Sequence, residues 1–205
     1  MENPSFGFSV ASYLNDEPNR INKLYCLVYS FMAQSYDNWK INIVHDGPIS
    51  DQNTKDKYYE LQKISAKIKC FESEKRLNHW GHEYRREYAL KTECDILGFT
   101  NDDNYYTPNC LFLLKEYLKE NDVMICQCLH RIGKNTGFYK ILKSTKPKPK
   151  HGTIDMSCFF IKNNIVRNND LNSFGHNADF SYINKILSLE NIKTVFVDHV
   201  IVVHD

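Results

Sequence analysis

The run GFTNDDNYYTP, residues 98–108, sets Asp102 and Asp103 side by side between a short apolar stretch and the start of a helical pattern. Asn101 and Asn104 flank the pair, and the run itself contains no Lys or Arg. Adjacent carboxylates repel one another and resist joint ionisation unless a cation meets them. A hard divalent cation suits the pair, because it takes oxygen ligands and keeps room in its shell for water and phosphate oxygens. An ion held this way offsets charge on a diphosphate leaving group. The alternative use of Asp and Asn at such a place is a capped turn ahead of a helix.

The rest of the chain has to position that pair. FGFSVASYLN (6–15) reads as a buried strand ended by Asn-Asp-Glu-Pro. Asn19 opens a helix whose stripe is Ile21, Leu24, Tyr25, Val28, Phe31 and Met32. Residues 39–45 form a strand broken by Gly47-Pro48, residues 51–65 a polar helix, and residues 66–73 an alternating strand. A helix over 82–93 leads to a strand at 94–100 that runs into the aspartates. Thr107 then caps a helix with Pro108 in its first position and Leu111, Leu114, Tyr117 and Leu118 on its apolar face. VMICQCLH (123–130) is a strand, and 143–152 is a cationic, proline-rich loop. A strand at 154–162, a helix at 177–189 and β structure at 194–205 close the sequence.

Strand and helix alternate through the first 120 residues. The expected fold is therefore α/β, with βαβ units, a mostly parallel central sheet and flanking helices. Such sheets bind ligands beyond the carboxyl ends of their strands. Three polar clusters fall there: Ser12-Tyr13, His45-Asp46-Gly47 and Asn101-Asp102-Asp103.

Bulk properties remove other classes. A formal net charge of +1 over 205 residues provides no basic field for nucleic acid. No stretch approaches the roughly 20 apolar residues of a membrane span. The N-terminal MENPSFGFSV lacks the layout of a secretory signal, so a cytoplasmic location is expected. Seven cysteines (26, 70, 94, 110, 126, 128 and 158) lie mostly in apolar runs with no C-x-x-C pair, which reads as reduced, buried thiols.

Taken with its neighbours, TNDDNYYTPNCL resembles the DxD-type metal and nucleotide motif of inverting glycosyltransferases with the GT-A fold, specifically glycosyltransferase family 2. It looks most like the spore-coat polysaccharide glycosyltransferase type, where a T-D-D-N run is followed by an aromatic, a Pro and a Leu-rich helix. Other segments agree in order. FSVASYLN resembles the family's first strand and its T-S-Y-N-like turn, and WKINIVHDGP the second strand, which ends in D-D-x-S or D-D-G-S. NHWGHEYRREYAL is similar to the N-x-G-x-x-x-A-R-N segment before the DxD strand. GTIDMSCFFIKNNIV resembles the strand behind the acceptor site, and GHNADFSYINKI a later helix start that carries an acid. The likeness runs over residues 6 to 190.

The resemblance implies one GT-A domain over 1–205, with a nucleotide-binding half (1–120) and an acceptor-binding half (121–205). It implies a UDP- or dTDP-sugar donor, a glycan acceptor and Mn²⁺ or Mg²⁺. Ser12 and Tyr13 match residues that contact the nucleoside, with the tyrosine stacking on the base. Asp46 matches the acid that accepts from the pyrimidine N3–H. Asp102 stands on the ribose side, and Asp103 binds the metal; His204 is either a late histidine completing the shell or a surface histidine, with the surface placement preferred. Arg85 or Arg86 faces the phosphates, the spacing from Gly81 favouring Arg86. Asp155 touches donor or acceptor sugar, and Asp179 matches the general base. Trp80 is either a sugar platform or a core side chain, with the core placement preferred. The Lys-Pro segment 146–150 is a solvated loop or a lid ordered by donor.

The sequence also departs from the family's pattern. His45 stands at the usual first Asp, Arg86-Glu87 replaces Arg-Asn, and Asn177-Ala178-Asp179 replaces Gly-Glu-Asp. The sequence closes soon after its last strands, so the extra C-terminal region that many relatives use for acceptors is expected to be lacking. Two other functions fit less of the sequence. A sugar-1-phosphate nucleotidyltransferase needs a Gly-rich loop where this chain has SVASYLNDEPNR. A nucleotide-sugar or glycan-binding domain without turnover would suit the altered Asn-Ala-Asp loop.

Overall fold

The computed structural model describes residues 2–17, 19–133, 137–144, 146, 148–169 and 177–205. Its first half is a series of crossovers. β1 (Phe6–Ser12) leads into α1 (Arg20–Met32), β2 (Trp39–His45) into α2 (Gln52–Ile64), and β3 (Ile68–Glu72) into α3 (His82–Leu90), which returns the chain to β4 (Ile96–Asn101). The four strands are parallel, in the order β3-β2-β1-β4. The chain steps outward twice and then jumps back across β1. Right-handed crossovers put α1 and α2 on one face and α3 on the other. The order reverses between β1 and β4, and that switch point is where open sheets take ligands.

Beyond β4 the sheet is mixed. β5 (Asn104–Tyr106) follows the aspartates at once, then α4 (Cys110–Leu118), β6 (Val123–Arg131) and β7 (Tyr139–Leu142). A 3-10 turn (Met156–Cys158), β8 (Phe159–Lys162), α5 (Asn163–Asn168), α6 (Ala178–Leu187) and β9 (Thr194–His204) complete the described elements. β8 is antiparallel to both β4 and β6, β9 is parallel to β6, and β5 and β7 add antiparallel strands. The result is the α/β sheet flanked by helices that the alternation implies, with its all-parallel part confined to the first four strands.

β1 is buried along its whole length, as a strand covered on both faces must be. α1 seals one face through Ile21, Leu24, Leu27, Val28 and Phe31. Met32, expected in that stripe, is exposed, and Leu27 takes the inward position. Pro108 lies two residues ahead of α4, whose N-cap is Asn109. The proline therefore ends the loop instead of opening the helix. β5 and β7 correspond to no expected strand. The Lys-Pro loop falls partly outside the described residues, at 145 and 147. No helix among the described residues is long and apolar enough to cross a membrane. The seven cysteines are free, five of them buried.

One irregularity sets the geometry of the sheet edge. β6 and β9 lose step, so that Ile125 pairs with Phe196 but Gln127 with Val200. β9 absorbs the extra residues as a bulge, and the strands realign with His130 beside His204. On its other side His204 pairs with Asn104 of β5. Asn104, His204 and His130 thus form a row across three strands.

Candidate active site

The carboxyl ends of β1 and β4, the start of α3 and the ends of β6 and β9 surround a cleft of about 790 Å³. Ser12, Tyr13, Asp46, Arg85, Asp102, Asp155, Asp179 and His204 all line it. Sequence positions more than 190 residues apart therefore share one cavity, and of the expected site residues Asp103 and Arg86 are not among its lining.

Asp102 organises the floor and is 1% exposed. Its Oδ2 accepts from Ser12 Oγ at 2.8 Å and from the Tyr13 amide at 3.1 Å. Its Oδ1 accepts from Arg20 Nε at 2.9 Å and lies 2.9 Å from Arg20 Nη2. All four lone-pair sites of the carboxylate are met, so a ribose hydroxyl takes one only by displacing a partner. Arg20 is the cation that the aspartate run itself lacks.

Asp103 is held differently. Its Oδ2 receives Arg20 Nη2 at 3.2 Å, while Oδ1 is buried and has no hydrogen-bond partner among the described residues. That oxygen is 3.8 Å from His204 Nδ1. Burial first, and then the charge of Asp102, push the Asp103 carboxyl above the usual carboxylate range. His204 Nδ1 meets Asn104 Oδ1 at 2.6 Å and donates to it, which leaves the lone pair on Nε2. A carboxylate oxygen with nothing to accept from, next to an oriented imidazole, fits a divalent cation.

The nucleoside end is built around Asp46, whose Oδ1 accepts from the Leu77 amide at 2.7 Å and Oδ2 from the Asn78 amide at 3.0 Å. Each oxygen keeps a free lone pair for a further donor. His45, which departs from the family's acid, is fully buried and works as a staple. Its Nδ1 donates to Gly47 O at 2.6 Å, and its Nε2 accepts from the Leu14 amide at 2.8 Å. Burial keeps it neutral by lowering its pKa. A charged Asp in that place could not donate to the Gly47 carbonyl. Tyr13 stacks on the His45 ring at 5.5 Å, and the Arg76 guanidinium carbon sits 3.6 Å from the Tyr13 ring centre.

α3 delivers the buried cation. Gly81, with φ of 71°, lets the helix start against β1, and a Cβ there would stand 2.3 Å from that of Ala11. This close approach brings Arg85 under the cleft. Arg85 Nη1 donates to Asn101 Oδ1 at 2.7 Å, and Nη2 donates to Trp80 O at 2.8 Å and lies 2.9 Å from His82 Nδ1. Of the two arginines weighed for the phosphates, Arg85 lines the cleft. Arg86, which the spacing favoured, is half-buried and near enough to Tyr182 to influence its hydroxyl. Trp80 is not a core residue. It is 64% exposed on the cleft wall, in a left-handed conformation with φ of 50°.

Across the cleft, Asp179 sits in the first turn of α6 and accepts from the Met156 amide at 3.1 Å. Burial first, and then the neighbouring Asp155, push its carboxyl up to about 6, against the pull of Arg85 and the Met156 N–H. Asp155 caps the 3-10 turn, its Oδ1 accepting from the Ser157 amide at 2.9 Å and Ser157 Oγ at 2.5 Å. Sequence reasoning missed Arg20, Arg76, His82 and His130 on these walls. Arg20 had a signal: it opens the helix that follows β1, at the sheet edge where the aspartates arrive.

The family model of Glycosyl transferase family 2 matches residues 19–182. The chain belongs to glycosyltransferase family 2. Among solved structures, this family 2 chain is similar to Staphylococcus aureus TarS 1–349 in complex with UDP, at TM-score 0.75 and 14% identity, covering 97% of this chain and 60% of that one. TarS 1–349 in complex with UDP-GlcNAc gives 0.72 and 15%, covering 97% and 58%. The mannosyltransferase PcManGT from Pyrobaculum calidifontis, in complex with GDP-Man and Mn²⁺, gives 0.68 and 16%, covering 98% and 57%. The fold is GT-A. The chain spans about 60% of the length of TarS 1–349. No curated protein matches the sequence.

Proposed function

We propose that this family 2 member is a metal-dependent inverting glycosyltransferase, moving a sugar from a UDP- or dTDP-sugar to a hydroxyl of a glycan or glycoconjugate. The observation that carries the reading is a pair of acids: Asp103 Oδ1, buried and unpartnered beside the cleft residue His204, and Asp179 on the cleft wall, whose carboxyl burial pushes up to about 6. The first group fits a cation that grips a diphosphate, and the second fits a base that takes a proton from an acceptor hydroxyl. TarS structures with UDP and UDP-GlcNAc support a uridine donor, and PcManGT with GDP-Man and Mn²⁺ supports the metal while carrying a guanosine donor.

In this reading residues 1–120 bind the nucleotide and 121–205 the acceptor, within one domain. Ser12 and Tyr13 meet the nucleoside, and Asp46 offers a lone pair to the pyrimidine N3–H. Asp102 holds the ribose side, Arg85 supplies positive potential below the phosphates, and Trp80 walls the sugar. Asp103 and His204 would hold Mn²⁺ or Mg²⁺, which when bound offsets the diphosphate charge. Asp179 removes the acceptor proton as the oxygen attacks the anomeric carbon, so displacement is in line and inverts.

The test is UDP release from a panel of UDP-sugars with Mn²⁺, with and without glycan acceptors. Turnover of at least one donor is expected. Tight UDP binding with no donor turned over would instead favour the binding-domain alternative.

A further inference from the structure

We propose that His130 and Asp155 join His204 around the cation of the cleft, giving it a shell with two imidazoles that selects a first-row transition-metal dication over Mg²⁺. This rests on reading the cleft as a cation-dependent donor site, and it names which cation and why.

One ligand atom each of His130, Asp155 and His204 lies within 4.8 Å of the other two, a spacing that one ion can span. The two rings are stacked, with centres 4.4 Å apart and planes at 17°. Their stacking follows from the register of β6 on β9, which the bulge restores just before the strands end.

Each ring is also oriented. His130 Nδ1 lies 2.7 Å from the carbonyl oxygen of Arg131, which can only accept, so Nδ1 carries the proton. His204 Nδ1 donates likewise to Asn104 Oδ1. Both imidazoles therefore keep their lone pair on Nε2, the arrangement that a metal requires and that a backbone carbonyl or amide behind the ring enforces. Asp155 is pinned through Oδ1 by Ser157, which leaves Oδ2 for an ion. Asp103 Oδ1, 3.8 Å from the protonated Nδ1 of His204, stands outside this three-residue cluster.

The donor set decides the metal. Mg²⁺ favours oxygen ligands and holds its waters, whereas imidazole suits first-row transition metals. Two stacked imidazoles facing one carboxylate make a poor Mg²⁺ cage and a good Mn²⁺ or Co²⁺ one.

The experiment loads the full chain with Mn²⁺ in the presence of UDP and counts nitrogen ligands by electron spin echo envelope modulation. Two imidazole nitrogens are expected in the unmodified protein and one in His130→Gln. By calorimetry His130→Gln and Asp155→Asn each weaken Mn²⁺ binding about 10-fold or more. Mg²⁺ binding changes less in His130→Gln, and His199→Gln, an exposed control on β9, changes nothing. Asp155→Asn provides an independent readout if His130→Gln fails to fold. A single nitrogen, unaltered in His130→Gln, would overturn the proposal and leave the cation-dependent reading standing. No Mn²⁺ bound with UDP present would overturn both.

Discussion

The guanidinium of Arg20 bridges the two aspartates, with Nη2 2.9 Å from Asp102 Oδ1 and 3.2 Å from Asp103 Oδ2. Two neighbouring acids, one 1% exposed, persist at the sheet edge because α1 begins with their counter-charge. Replacing Arg20 by Gln strands a buried carboxylate, which costs about 1–3 kcal/mol given that Arg20 itself is partly exposed. Urea denaturation measures the loss. Saturating Mn²⁺ restores part of it, because a ligand that binds only the folded state stabilises it.

Asp103→Ala removes the unpartnered oxygen. UDP affinity measured in Mn²⁺ then falls about 10-fold or more, while affinity without metal stays unchanged. Equal Mn²⁺ enhancement in both proteins would exclude Asp103 as a ligand.

Asp179 must be ionised to act as a base. Its carboxyl, pushed up to about 6, is protonated below that pH, so kcat/KM declines as pH falls through about 6 and levels above it. Asp179→Asn lowers kcat by about 10²- to 10⁴-fold with UDP binding retained. An unshifted pH profile in the residual activity of Asp179→Asn would assign the titration elsewhere.

His82 is lowered to about 3, by burial first and then by Arg85. Its folded pKa lies below the unfolded value of about 6.5, so the stability it contributes is present above 6.5 and is lost as pH falls below it. Asp179 acts in the opposite sense, because its raised pKa favours the folded state as acid is added. The informative quantity is therefore a difference. The stability of His82→Asn relative to the parent rises as pH drops from 7 to 5, read from denaturation midpoints.

Gly81→Ala places a Cβ 2.3 Å from that of Ala11 and keeps a φ of 71°. We expect a loss of about 2–4 kcal/mol, from overpacking and left-handed strain together. Because α3 must back away from β1, nucleotide affinity falls as Arg85 withdraws. Gly152→Ala, where the added methyl meets nothing within 4 Å, is the control for the backbone effect alone.

The parallel half of the fold was legible because β1 and β4 are apolar runs, β3 alternates, and α1 carries an apolar stripe between them. The aspartates and the Asp179 helix start were visible for the same local reason. β5 was not, since Asn104–Tyr106 is a strand only through β9, whose pairing residues lie about a hundred positions away. β7 is exposed at Tyr139, Lys140 and Ile141 and gives no inward pattern. His130 read as the polar end of a strand. Its place beside His204 depends on a bulge that no local sequence announces. For Trp80 the core placement was preferred over a sugar platform, whereas the left-handed turn before Gly81 leaves it exposed.

The guanidinium carbon of Arg76 stands over the ring of Tyr13, 3.6 Å from its centre. A planar cation thus occupies ground that a pyrimidine would claim, and the two cannot lie on the same side of the ring together. Arrival of the base there is an exchange of one flat guest for another, not the filling of a void. If Tyr13 takes the base as proposed, the arginine gives up the ring while Asp16 and Asn78 remain as its partners beside the incoming phosphates.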